Sequence, residues 1–190
     1  MNYREPARTA SRHRLRSAVL AALVVVTAAP IGVLVYQSLA SPFSAAWSSD
    51  YDGLDHTHPS VANLDPALLD ALRRAADDAA NDGVEFVVNS GWRSRAEQEQ
   101  LLRAAISKYR SAKEAARWVA TPETSAHVSG DAVDIGPAKA AAWLSTYGAE
   151  YGLCQIYTNE PWHYELRPEA EYDGCPAQYA DPTQDPRMQQ

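Results

Sequence analysis

Apolar and polar positions divide the chain into stretches of different character. From Ser17 to Ser49 there is no charged residue, and within Ala18–Tyr36 the only uncharged polar side chain is Thr27 apart from the terminal tyrosine. A helix rises about 1.5 Å per residue, so roughly 20 apolar residues cross a bilayer core. The run predicts a transmembrane signal-anchor over residues 17–40, since a core helix is rarely apolar on every face over this length. Cleavage after Ser38-Leu39-Ala40 is the alternative, which would give a secreted domain. Residues 41–63 have no periodicity and read as a linker, with His56 and His58 as solvated side chains.

Regular patterning begins near Leu64. Asp65-Pro66 is an N-cap followed by proline at the first helical position. Leu68, Leu69, Leu72, Ala75, Ala76 and Ala79 then recur at helical spacing, closed by Gly83. Val84–Val88 reads as a buried strand, followed by a turn at Ser90–Arg93. Ser94 and Glu97 form a capping box for a helix carrying Leu101, Leu102, Ala105 and Ile106. A second helical piece is expected over 112–120, and a loop over 121–130. Strands are expected at 131–135, 153–157 and 162–166, with an alanine-rich helix over 138–151. The tail from Arg167 onward has no period, and residues 181–190 are expected to be disordered. Helices come first, then strands mixed with one helix, which favours an α+β domain over residues 64–180.

Charge sharpens the picture. Residues 1–40 carry five arginines and one acid, whereas the remaining 150 carry 12 basic and 23 acidic side chains. An acidic main body argues against nucleic acid as a partner. The arginines lie in segment 1–16, just before the apolar run, and basic flanks stay cytoplasmic. The domain is therefore expected outside the cell, held to the membrane by its N-terminal helix. Only two cysteines occur, Cys154 and Cys175. In an oxidising compartment the default for such a pair is one disulfide.

Two histidines, His127 and His163, fall inside the domain in dense polar settings. Two imidazoles and one carboxylate make a three-ligand zinc site with a position open to water. Asp131 and Asp134 compete for the carboxylate role, and chemistry alone leaves the choice even. A further carboxylate is needed near the water for proton transfer, and Glu160 is the acid closest before His163. Pro161 forces a bend that could swing it toward the metal.

The segments Ser90–Gln98 (SGWRSRAEQ), Ser125–Gly136 (SAHVSGDAVDIG) and Glu160–Leu166 (EPWHYEL) resemble the three signature blocks of VanY-type D-alanyl-D-alanine carboxypeptidases, a family of zinc peptidases. All three occur in the family's order. The resemblance implies zinc ligands at His127, Asp134 and His163, a catalytic carboxylate at Glu160, and substrate contacts at Arg93, Gln98 and Ser125. It implies the small α+β fold shared with the Hedgehog signalling domain, an antiparallel sheet flanked by helices with zinc in a cleft. The implied activity is removal of a C-terminal D-amino acid from peptidoglycan stem peptides or their lipid-linked precursor, by a monomer. The alternatives are an L,D-carboxypeptidase or endopeptidase of the same family, or a non-catalytic wall-binding module that keeps zinc for stability. One departure stands out: many relatives carry a basic or neutral residue where this chain has Glu165. An acid there would either disfavour an anionic substrate or point into solvent.

Overall fold

A computed structural model describes Leu54 and residues 57–189. The expected anchor at 17–40 lies outside the described residues. Among those residues no helix is long and apolar enough to cross a membrane.

The ordered domain begins before Leu64. A single helical turn, α1 (Pro59–Ala62), is capped by His58, whose ring accepts from the Ser60 amide, and it buries Val61 completely. His58 is therefore a capping residue and not a solvated linker side chain. The long helix α2 (Pro66–Asn81) starts as its sequence requires: the Asp65 carboxylate accepts from the amides of Ala67 and Leu68, and Pro66 needs no partner there. Its stripe of Leu68, Ala71, Leu72, Ala75 and Ala79 is buried. Each buried leucine contributes roughly 1.5–3 kcal/mol relative to an exposed one.

Four strands, β1 (Val87–Ser90), β2 (Ala132–Gly136), β3 (Leu153–Gln155) and β4 (His163–Leu166), form one antiparallel sheet in the order β1-β2-β4-β3. Period-2 alternation gives the sheet two characters. Val88, Val133, Ile135, Tyr164 and Leu153 join the core cluster with the α2 stripe and with Trp143 and Leu144 of α6 (Ala138–Tyr147). Asp134 and His163 sit directly opposite one another on β2 and β4, on the other face. Helix α3 (Arg95–Tyr109) carries the expected capping box between Ser94 and Glu97.

Several boundaries move for tertiary reasons. The first strand starts three residues later than its β-rich run, because Val84 and Phe86 are used for packing and not for the ladder. The helix expected over 112–120 shrinks to α4 (Ala112–Ala115). Tighter turns follow it, with Arg117 tied to Asp181 and the Ala120 carbonyl accepting from Gln98. The expected loop 121–130 contains a short helix, α5 (Ala126–Ser129).

The C-terminal part departs most. Cys154 on β3 is bridged to Cys175 with Cα atoms 5.5 Å apart, the one disulfide expected of this pair. The bridge spans a segment that includes the turn α7 (Ala170–Asp173). Residues 181–189, expected to be disordered, form two 3₁₀ turns, Pro182–Gln184 and Pro186–Gln189. They are ordered because Asp181 and Asp185 are buried and bonded, which an aperiodic sequence does not disclose.

Candidate metal centre and active site

The strand register builds the centre. Asp134 and His163 face the same side from adjacent strands, and α5 brings His127 over them. The candidate ligand atoms of His127, Asp134 and His163 all lie within 4.8 Å of one another, and all three residues are buried. Asp131 precedes β2 and is exposed, so the strand register and the burial both select Asp134.

The two imidazoles present opposite nitrogens. The Nδ1 of His127 lies 2.8 Å from the Gly91 carbonyl, which can only accept, so Nδ1 carries the hydrogen. That leaves Nε2 facing Asp134 Oδ1 at 3.3 Å. In His163 the roles reverse: Nε2 donates to Glu165 Oε1 at 3.3 Å, and Nδ1 faces Asp134 Oδ1 at 3.2 Å. Fixing the outer nitrogen in this way fixes which one is free for a metal. Gly91 is required for the first arrangement, since a Cβ there would meet the Ser60 carbonyl oxygen at 2.1 Å.

Charge in the site is tightly coupled. Burial would raise the Asp134 carboxyl, but His127, His163 and Arg93 hold it well below the usual carboxylate range. Burial, with the Arg93 charge, lowers His127. Burial opposes ionisation of His163 as well, yet its bonds to Asp134 and Glu165 raise it to about 10. A cation binding here must therefore displace a proton from His163. Two imidazoles and one carboxylate are the donor set of an open zinc site.

Glu160 stands beside this set. The chain turns at Glu160–Trp162, with the His163 amide donating to the Glu160 carbonyl at 3.0 Å, so Glu160 leaves the strand direction. Its Oε2 lies 3.9 Å from His163 Nδ1, and its Oε1 is buried with no hydrogen-bond partner. Burial pushes this carboxyl up to about 7. A carboxyl that exchanges its proton near neutral pH and keeps one oxygen unengaged can act as base and then acid.

The three expected substrate contacts behave differently. The Arg93 guanidinium donates to Ser90 Oγ, to Gln98 Oε1 and to Asp134 Oδ2, the last at 2.8 Å. It braces a candidate ligand and keeps only part of its fork for a substrate. Gln98 is spent inside the protein: Oε1 accepts from Arg93, and Nε2 donates to the Ala120 carbonyl at 2.9 Å. Ser125 is buried at the start of α5, where its hydroxyl makes no capping bond and remains for a ligand.

Glu165 is neither exposed nor a loose negative charge. It is fully buried, with its carboxylate held by Arg167 and by a two-pronged pairing with Arg187. Sequence reasoning missed Arg187, and its position in an aperiodic tail gives no signal that could have found it.

Comparisons with known proteins point to one family. The model of the VanY family, D-alanyl-D-alanine carboxypeptidase, matches residues 61–169. A D-alanyl-D-alanine carboxypeptidase of Enterococcus faecalis is 28% identical over 156 residues, covering 69% of this chain and 57% of that protein. The chain thus spans little more than half the length of that relative. The structure of VanYB in complex with D-alanine-D-alanine is similar with a TM-score of 0.53 and 26% identity, over 63% of this chain and 80% of the other. A variant of the vancomycin-resistance D,D-pentapeptidase VanY from a VanB-type cassette, in complex with Zn(II), has a TM-score of 0.50 and 28% identity, over 54% of this chain and 72% of the other. The match spans more than half of the sequence and contains every one of the candidate ligands, so the chain belongs to the VanY D-alanyl-D-alanine carboxypeptidase family.

Proposed function

We propose that this chain is a zinc-dependent D,D-carboxypeptidase that releases the C-terminal D-alanine of peptidoglycan stem peptides. The observation that carries the reading is a buried His127–Asp134–His163 set with a buried, half-unengaged Glu160 beside it. A non-catalytic module that kept a metal for stability would have no use for that carboxylate. The relatives that hold Zn(II) and D-alanine-D-alanine support the same assignment of metal and substrate.

Zinc held by His127, Asp134 and His163 would polarise the scissile carbonyl and make water nucleophilic near neutral pH. Glu160 takes the proton of the attacking water as the C–O bond forms. It returns a proton to the departing nitrogen as the C–N bond breaks, so D-alanine leaves as an amine. The part of the Arg93 fork not bound to protein, with the Ser125 hydroxyl, receives the substrate's terminal carboxylate. Gln98 holds Arg93 in place for this and does not touch the substrate.

The charge pattern of residues 1–49 supports a single-pass anchor with the domain outside the cell, next to lipid-linked precursor and nascent wall. The Cys154–Cys175 bridge suits that oxidising compartment. The deciding experiment is mass spectrometry of muropeptides after incubation with the protein. Pentapeptides should become tetrapeptides with D-alanine released. Conversion of tetrapeptides to tripeptides would establish the L,D activity instead, and cleavage within the stem would establish an endopeptidase.

A further inference from the structure

His163 is enclosed by a ring of contacts that closes through the C-terminal turns. Its Nε2 donates to Glu165 Oε1. Arg187 donates to both oxygens of Glu165, at 2.7 and 3.3 Å. Asp185 grips Arg187 through Nε and Nη2. The Tyr157 hydroxyl donates to Asp185 Oδ2 at 3.0 Å, and the Tyr157 ring lies against the His163 imidazole with centroids 5.2 Å apart. Glu165, Asp185 and Tyr157 are buried.

We propose that residues 181–189 are a positioning strap for His163, acting through Arg187 on Glu165 and through Asp185 on Tyr157. Two physical facts require it. Glu165 lies in β4, an inner strand of the sheet, and is cut off from solvent, where an unpaired carboxylate is strongly unfavourable. It also accepts the one hydrogen that commits His163 to presenting Nδ1 toward Asp134. Without Arg187, Glu165 would keep, besides the imidazole itself, only a single contact from Arg167, too little to stop it rotating away from the ring. The strap lies beyond residue 169, where the match to the family model ends. Arg187 and Asp185 are positioning residues, since neither belongs to the His127–Asp134–His163 set. The inference rests on the reading of His163 as a metal ligand.

The test is Zn(II) affinity of the full chain, measured without substrate by competition with a chelator, alongside the visible absorption of the Co(II)-loaded protein. Arg187→Met should weaken Zn(II) by about 10–100-fold, the usual cost of losing a partner behind a ligand, and should change the Co(II) spectrum. Arg187→Lys keeps the charge but not the fork, and should fall between Arg187→Met and the unchanged protein. Should Arg187→Met fail to fold, Arg187→Lys and Tyr157→Phe carry the test, each with weakened Zn(II). A lower melting temperature with wild-type Zn(II) affinity and an unchanged Co(II) spectrum would make the strap merely structural and overturn the proposal. Because no substrate is present, absence of D-alanine release would sink the proposed activity without touching this result.

Discussion

Arg93 Nη2 donates to Asp134 Oδ2 at 2.8 Å, so the residue expected to read a substrate carboxylate also holds a candidate metal ligand. The two tasks share one guanidinium. Arg93→Ala should therefore weaken Zn(II) retention by about 10-fold as well as lowering kcat/KM on peptides with a free C-terminus. Arg93→Lys should not restore both, because an ammonium lacks the fork. Zinc titration beside kinetics checks this; full zinc affinity in Arg93→Ala would show that the Asp134 contact is idle.

Glu160→Ala separates proton transfer from metal binding. Zinc should stay bound while D-alanine release falls by about 10²–10⁴-fold. His127→Ala, Asp134→Ala and His163→Ala should instead lose metal, each removing one donor of three. Zinc content after dialysis and the rate on one pentapeptide suffice. Near-wild-type turnover in Glu160→Ala would remove it from the mechanism.

Glu160 also sets a pH dependence in the metal-free protein. Its carboxyl is raised by burial from 4.5 to about 7, so folding favours the protonated form. The stability this gives is fully present below pH 4.5 and is lost as pH rises through about 7. The loss at high pH is on the order of 3 kcal/mol. Glu160→Gln should raise the melting temperature of the metal-free protein at about pH 8 and change it little at about pH 4. An equal shift at both values would contradict the burial argument.

The Cys154–Cys175 bridge closes a sequence separation of 21 residues. Chain-entropy reasoning assigns such a loop about 3 kcal/mol of stabilisation. Cys154→Ser with Cys175→Ser should lower stability by that order in denaturant titrations. A double variant with an unchanged midpoint would mean that the segment is held by its other contacts alone.

The elements that carry the site were legible because local chemistry dictates them. Asp65-Pro66 and Ser94 with Glu97 are caps whose partners lie within three residues, and the structure places both as the sequence requires. His127, His163 and Glu160 were legible from residue type and spacing, but Asp134 could be chosen over Asp131 only by resemblance until the register put it opposite His163. What stayed hidden depends on pairs far apart in sequence. Gln98 looks like an exposed helix residue until the Ala120 carbonyl and Arg93 are seen to enclose it. Arg187 is 22 residues from Glu165, in a stretch with no apolar period to announce that it packs onto the sheet. Charge neutralisation of that kind leaves no pattern in a one-dimensional string.

The turn α1 places the start of the domain ahead of the first visible periodicity. The Ser60 carbonyl accepts from the Trp92 amide at 2.8 Å, and the Gly130 carbonyl accepts from the Asp65 amide at 2.9 Å. These bonds hold the loops that carry Arg93 and follow His127. A shortened protein beginning at Leu64, where helical periodicity first becomes visible, would lose the buried Val61 and the carbonyl that seats Trp92. It would retain every residue of the centre and the Asp65–Gly130 bond, and still lack the carbonyl on which the loop carrying Arg93 rests. The packed domain therefore starts no later than His58.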